Sequence, residues 1–147
     1  MKIDELIIIC TKIRIGLENA STQKPIGCFN LEGFPHGCCK ISSFIVMYCL
    51  SEYIGLPKQD FTLIANAQIG SASHAWVKYK NINIDLTADQ FNAFNMPKVI
   101  VSFECQWPGI DYSTFPYHKE TYSSEWYSKL VCSCEFIKSS QGLLEIA

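Results

Sequence analysis

One segment constrains the fold more than any other: the apolar run that extends from Cys39 to Glu52. Its apolar side chains recur every three or four positions, as in an α-helix, and further apolar residues fill the remaining faces. A helix that is apolar all round belongs in a protein interior, where other elements cover it. Its end is predicted near Gly55-Leu56-Pro57, because glycine followed by proline stops a helix. We therefore expect a fold built around one central buried helix.

Two more helices are predicted near the ends of the chain. Residues 3–18 carry apolar side chains at helical spacing, and Arg14 falls outside that apolar stripe. Residues 124–138 predict a closing helix, and either Ser123 or Ser124 would cap it. The first of these helices is expected to pack, together with the central one, on a sheet.

The sheet is predicted from short apolar or alternating runs. Residues 19–37 are rich in glycine, proline and small polar residues and predict a long loop, and residues 104–123 are predicted to be irregular. The sum is an α+β fold, with N-terminal and central buried helices packed on a small antiparallel sheet. The strands are predicted at 61–65, 74–79, 81–86 and 98–103.

Length and charge exclude several classes of protein. The chain of 147 residues fits a single domain, 1–147, and its net charge of −2 with no long basic run argues against nucleic-acid binding. A membrane helix needs about 20 consecutive apolar residues. The longest candidate, residues 6–10, is far shorter, so no membrane association is expected.

The first residues bear on location. Asp4 and Glu5 stand where a secretory signal would carry basic residues, and no small-residue cleavage site follows. We expect a cytoplasmic protein, or one exported by a route that leaves no cleaved signal.

The cysteines are expected to be reduced thiols. There are eight of them, but the chain is large enough to form a core without disulfides, and Cys10 and Cys49 lie on apolar helical faces. A zinc site is not expected, because Cys132-Ser133-Cys134 lacks the usual two-residue spacing and has no clustered histidine. No cofactor is expected either.

A candidate nucleophile stands at the start of the central helix. The segment from Phe34 to Cys39 contains Gly37 and leads directly into the apolar run. A helix N-terminus carries partial positive charge and free N–H groups, both of which lower the pKa of a thiol. The Cys39 N–H can also stabilise an oxyanion. We therefore predict Cys39 as the nucleophile.

A base and an acid are predicted on the next two strands. His74 begins one strand, and Trp76 on the same face can shield it from water. If the hairpin is centred between Tyr79 and Lys80, Asp85 lies directly opposite His74, because 74 + 85 is twice 79.5. An even-length turn is required, since an odd one would put the two side chains on opposite faces. Asp85 would then orient the imidazole.

Three sequence blocks in this order resemble the transglutaminase-like core of the papain-related cysteine peptidase superfamily. They are Gly37-x-Cys39, His74-Ala75-Trp76-Val77 and Ile84-Asp85-Leu86-Thr87, and they span residues 37–87. Longer strings, such as Asp85-Leu86-Thr87-Ala88-Asp89-Gln90-Phe91, are similar to small bacterial members. The resemblance implies a Cys39–His74–Asp85 triad and selects Cys39 over Cys38. The chain is far smaller than animal transglutaminases, so protein cross-linking is not implied.

Other residues have lesser candidate roles. Four residues are predicted to contact the substrate or the oxyanion: Cys38, Gly37, Trp76 and Gln90. Three of them have alternatives. Cys38 could be a small residue there by chance, Trp76 could belong to the core, and Gln90 could serve only in packing. The second set comprises three aromatic residues that line a substrate groove or cover one face of the sheet (Trp107, Phe115 and Tyr117), two histidines interpreted as loop or surface residues (His36 and His118), and two serines interpreted as buried in the helix (Ser42 and Ser43).

The predicted activity is that of a thiol hydrolase that cleaves an amide bond in a peptide or protein substrate. Peptidase, deamidase and isopeptidase activities share this chemistry. Two alternatives stay open: an acyltransferase that passes the acyl group to an amine, and a non-catalytic binding module on the same scaffold. The oligomeric state is not predicted.

Overall fold

The computed structural model describes residues 1–117 and 123–143. Within these ranges no helix has the length and apolar character needed to cross a membrane. The helices are α1 (Ile3–Gln23), α2 (Cys39–Tyr48), which continues into a π-helical turn (Cys49–Tyr53), and α3 (Ser124–Gln141). The strands are β1 (Phe61–Ile69), β2 (Ala72–Tyr79), β3 (Ile82–Asp85), β4 (Ile100–Ser102) and β5 (Ser113–Pro116).

The strands form one antiparallel sheet in the order β4-β3-β2-β1-β5. The helices α1 and α2 pack on one face, where Val77, Tyr79 and Ile84 lie in the main core, and α3 packs against α1 and α2. A smaller apolar cluster around Trp76 and Trp107 lies on the other face. The predicted combination of helices packed on a small antiparallel sheet is thus confirmed.

The central helix is buried as predicted. Ile45, Met47 and Leu50 are fully inaccessible to solvent, and α2 packs against β2. Burial of one such side chain stabilises a protein by roughly 1.5–3 kcal/mol. Since several are buried on this helix, its packing fixes where the first residue, Cys39, stands.

The N-terminal helix is longer than predicted. It continues to Gln23, five residues beyond the predicted end, so the predicted loop 19–37 begins late. Gly16, inside this helix, packs closely against α3. A Cβ at Gly16 would stand 2.7 Å from Cγ2 of Ile137. Lys24, in the left-handed conformation, ends the helix with its N–H bonded to the Ala20 carbonyl at 2.9 Å.

The fifth strand lies inside the stretch predicted to be irregular. Ser113–Pro116 pairs with β1 at the edge of the sheet, and its side chains are mostly exposed. An exposed edge strand has no apolar face, so the sequence lacks the alternation that predicts a strand. His118 lies outside the described residues. The cap of α3 is Ser123, whose Oγ accepts from the Trp126 N–H at 3.2 Å.

The β2–β3 hairpin was predicted correctly in type but not in register. Tyr79 pairs with Ile82 and Val77 with Ile84, so a two-residue turn at Lys80 and Asn81 is the centre. Extending this ladder by one pair sets Asp85 opposite Trp76, two residues from the predicted partner. The turn length is still even, so Asp85 shares a face with His74 and lies diagonal to it.

Candidate active site

Cys39 is the first residue of α2. Gly37, two residues earlier, is in the left-handed conformation with φ of 70°, a region that favours glycine because it has no Cβ. Cys38 occupies the N-cap position but makes no side-chain capping bond. The first turn therefore keeps N–H groups and a partial positive charge directed at the thiol.

His74 and Asp85 form a buried pair. Both side chains are 0% exposed, and His74 Nε2 lies 2.8 Å from Asp85 Oδ2. A β-bulge lies beside them: between the pairs Ile64–Trp76 and Ala67–His74, β1 has one residue more than β2, and Asn66 is left-handed with φ of 60°. Bulges bend a strand and redirect its side chains, and they are common next to active sites.

Within the described part of the chain, four donors hold the Asp85 carboxylate. Oδ2 accepts from Gln106 Nε2 at 2.9 Å and from Trp107 Nε1 at 3.2 Å, in addition to the His74 ring. Oδ1 accepts from the Thr87 N–H at 3.1 Å. The carboxylate therefore cannot rotate freely and presents one fixed oxygen to the imidazole.

The electrostatics of the triad favour a thiolate and an imidazolium. Burial opposes ionisation of Cys39, but its hydrogen bond to His74, the charge of His74 and the Ala75 N–H together lower the pKa of Cys39. Burial alone would lower the pKa of His74, but bonds to Asp85 and Cys39 raise it to about 9. Each group thus stabilises the charged form of the other.

Aromatic rings enclose the histidine. The ring centroid of His74 lies 5.8 Å from that of Trp76, 4.9 Å from that of Phe91 and 5.8 Å from that of Trp107. Low-polarity surroundings strengthen the charge interactions inside the site. The predicted shielding role of Trp76 agrees with this geometry.

The other side chains predicted at the substrate are placed differently. Trp76 is 1% exposed and donates from Nε1 to Asn83 at 3.1 Å, so it has almost no surface to offer a substrate. Cys38 is buried with its thiol directed at the His36 carbonyl, and burial followed by the charge of Cys39 raises its pKa. Of the two vicinal cysteines, it is Cys39 that contacts His74.

The Gln90 side chain contacts both Gly37, in the segment before Cys39, and the His74 ring. Its Oε1 accepts from the Gly37 N–H at 3.3 Å, and its Nε2 lies 3.2 Å from His74 Nδ1. The residue ends a short 3₁₀ turn, Ala88–Gln90. Gly37 thus has its N–H committed to Gln90, whereas the backbone N–H that bonds the Cys39 thiol is that of Ala75.

Arg14 holds the 3₁₀ turn Ala88–Gln90 in place. It lies outside the predicted apolar stripe yet is 3% exposed, because it contacts several elements at once. Its guanidinium binds both oxygens of Asp89 at 2.7 and 2.9 Å, donates to the Leu86 carbonyl at 2.8 Å and stacks 4.7 Å over the Phe34 ring. Arg14 therefore joins the segment before Cys39 to the segment after Asp85.

The aromatic residues predicted to line a groove or cover the sheet divide between the two roles. Trp107 does both, since it packs in the smaller cluster and also lines an apolar groove of about 370 Å³. Tyr117 belongs to the main core, and Phe115 is exposed on the edge strand. Gln106 lines the same groove. Neither the Gln106 bond nor the Trp107 bond to Asp85 has a sequence signal, because both depend on how a loop folds back.

The remaining candidates are accounted for by position. Ser42 and Ser43 are buried within α2, and Ser43 Oγ donates to the Cys39 carbonyl at 2.7 Å. His36 is exposed. All eight cysteines are free thiols. Among residues 1–117 and 123–143, no three side chains of the His, Cys, Asp and Glu types group as a metal site.

Comparisons of the chain with protein-family models, with curated proteins and with solved structures found no match.

Proposed function

We propose that this chain is a cysteine hydrolase of the transglutaminase-like, papain-related kind, acting on an amide bond of a peptide or protein. The observation that carries the proposal is the Cys39 thiol, which is half-buried at a helix N-terminus and interacts with His74. His74 in turn forms a fully buried pair with Asp85. These are the parts that thiol catalysis needs: a nucleophile of lowered pKa, a base and a group that orients the base.

The proposed reaction begins with attack of the Cys39 thiolate on the amide carbonyl carbon. The oxygen becomes an oxyanion, which the Cys39 N–H stabilises. His74 then gives its proton to the leaving nitrogen, the C–N bond breaks and a thioester remains on Cys39. Water attacks the thioester while His74 takes a proton, which releases the acid and the free enzyme.

Asp85 has two roles in this scheme. Its Oδ2 accepts from His74 Nε2, which leaves Nδ1 as the atom that exchanges a proton with the thiol and the leaving group. Its charge also stabilises the imidazolium that forms during attack. Gln106 and Trp107 support both roles by keeping Oδ2 in place.

The fold is compatible with the resemblance that the sequence blocks suggest. A central buried helix begins at the nucleophile and packs on β2, which carries the histidine, and the neighbouring β3 carries the acid. A nucleophile that must stay a thiol fits a reducing compartment such as the cytoplasm, and eight free cysteines fit it too.

The test is product analysis with a diverse peptide mixture in ¹⁸O-water. Hydrolysis through Cys39 places ¹⁸O in new carboxyl groups, and Cys39→Ala abolishes the products whereas Cys38→Ala keeps them. Products that persist in Cys39→Ala would overturn the proposal, as would their absence from the wild-type reaction.

The same experiment with an added primary amine separates hydrolysis from acyl transfer. Hydrolysis gives ¹⁸O-labelled acids at an unchanged yield. Conversion of most of the product to the amide of the added amine would instead assign the chain as an acyltransferase.

A further inference from the structure

We propose that Gln90 is a positioning residue that holds the resting Cys39–His74 pair in its neutral form and must leave His74 before the reactive ion pair can form. This proposal rests on the proposed function, since it assigns a role within the same site. It begins from two hydrogen bonds made by one carboxamide.

The two ends of that carboxamide are identified by their partners. The Gly37 N–H can only donate, so the atom 3.3 Å from it is the oxygen of Gln90. The amide nitrogen therefore faces His74 Nδ1 at 3.2 Å, and it can only donate. In this arrangement Nδ1 is an acceptor and carries no proton.

The tautomer of His74 follows from the same chain of bonds. With Nδ1 unprotonated, the ring proton is on Nε2, which lies 2.8 Å from Asp85 Oδ2. The imidazole is then neutral, as a base before the reaction should be. A proton on Cys39 completes the resting state.

The ion pair cannot coexist with this contact. When Cys39 gives its proton to Nδ1, the new N–H faces the N–H of Gln90, and two donors cannot bond to each other. The charges of Asp85 and Cys39 favour the imidazolium, whereas the Gln90 amide favours the neutral ring. The two forms are therefore alternatives separated by a movement of one side chain.

The surroundings confine the movement to that side chain. The turn that presents Gln90 is fixed at its backbone, because Asp89 is paired with Arg14 at 2.7 Å and the Gln90 N–H bonds to the Thr87 carbonyl at 3.1 Å. The Gln90 side chain is partly exposed, so it has room to turn outward. Within the described residues, Cys39 and Asp85 are the titratable groups whose charge acts on His74, and the Arg14–Asp89 pair beside the turn is mutually neutralised.

The test is the pH dependence of Cys39 alkylation by iodoacetamide, followed by peptide mass mapping. Gln90→Met keeps most of the side-chain volume but removes the donor. We expect the midpoint of the alkylation profile to fall by about 0.5–1 pH unit, which is about 3–10-fold faster alkylation below the wild-type midpoint. Gln68→Met is the matched control, because Gln68 is exposed on β1 and its side-chain amide donates to the Gly70 carbonyl, away from His74. The midpoint of this variant stays at the wild-type value.

A second variant covers a failure of the first to fold. Gln90→Asn keeps an amide that is too short to reach both Gly37 and His74, and the same downward shift is expected. ¹⁵N NMR of His74 provides an independent measurement, because loss of the Gln90 donor increases the fraction of doubly protonated imidazole.

A midpoint of the alkylation profile that is unchanged or that rises in both Gln90 variants would overturn this role of Gln90. That result is distinct from failure of the proposed function, which would appear in the wild-type protein as an absence of Cys39-dependent products.

Discussion

The two faces of the sheet differ in the side chains that pack on them. The core under the helices is apolar, and side chains such as Ile45 and Leu50 are fully buried there beside aromatic rings such as that of Phe61. On the opposite face, aromatic rings surround a charged pair, His74 and Asp85. The first face supplies stability through contacts that tolerate exchange of similar side chains. The second face depends on hydrogen bonds of fixed direction, so a change there alters chemistry more than folding.

The largest effect is expected on the helical face. Met47→Asp would bury a charge with no partner at a fully inaccessible position of α2, and we expect a loss of at least about 3–5 kcal/mol in the free energy of unfolding. Urea denaturation followed by circular dichroism measures it. Ile8→Asp on the exposed side of α1, where the side chain is 54% accessible, should change stability by less than about 0.5 kcal/mol. Equal stabilities for the two variants would contradict the burial of α2 in the core under the helices.

A catalytic loss without unfolding is expected on the opposite face. His74→Gln removes the base but keeps a polar side chain, and kcat/KM should fall by about 10²–10⁴-fold. His36→Gln is the matched control, because His36 is exposed in the loop before α2. A His74→Gln protein that is folded and fully active would show that the face has no catalytic role.

An intermediate effect is expected where the two faces meet. Arg14→Met removes the guanidinium that links the turn of Gln90 to the segment before Cys39, and leaves Asp89 without its partner. Since the Asp89 side chain is 18% exposed, water compensates in part, and we expect a loss of about 1–3 kcal/mol. Lys12→Met, at a half-buried position on the same helix, should change stability much less, as thermal unfolding would show. An effect no larger than that of Lys12→Met would mean that Arg14 does not brace the turn.

The smallest effect concerns a single bond. Trp107→Phe removes one of the four donors to Asp85 but keeps an aromatic ring against His74. We expect a loss of about 0.5–1.5 kcal/mol in transition-state stabilisation, measured as a fall in kcat/KM of about 2–13-fold. A fall as large as that of His74→Gln would show that the remaining three donors cannot hold the carboxylate.

The helical face could be predicted from sequence because its signal is periodic. The central helix and the hairpin, though not its register, were predicted from spacing, and Ser123 was one of two serines predicted to cap α3 from local chemistry, which acts over a few residues. On the opposite face, His74, Asp85 and the shielding Trp76 could be predicted, because they lie on strands. Gln106 and Arg14 were not predicted in their roles, since each acts on residues far away in sequence. The role of Gly16 also has no signal in the sequence, because it depends on close contact with Ile137 of the distant α3.

The measurement that tests the account most directly compares two cysteines of the same molecule. Because the pKa of Cys39 is lowered, its thiolate fraction persists as the pH falls below the usual thiol range, whereas its partial burial restricts access. Cys105 is exposed and serves as the internal reference. At about pH 6, limited iodoacetamide labelling with peptide mass mapping should show Cys39 alkylated faster than Cys105, and His74→Gln should reverse that order. Faster alkylation of Cys105 in the wild-type protein would contradict the assignment of Cys39 as an activated nucleophile.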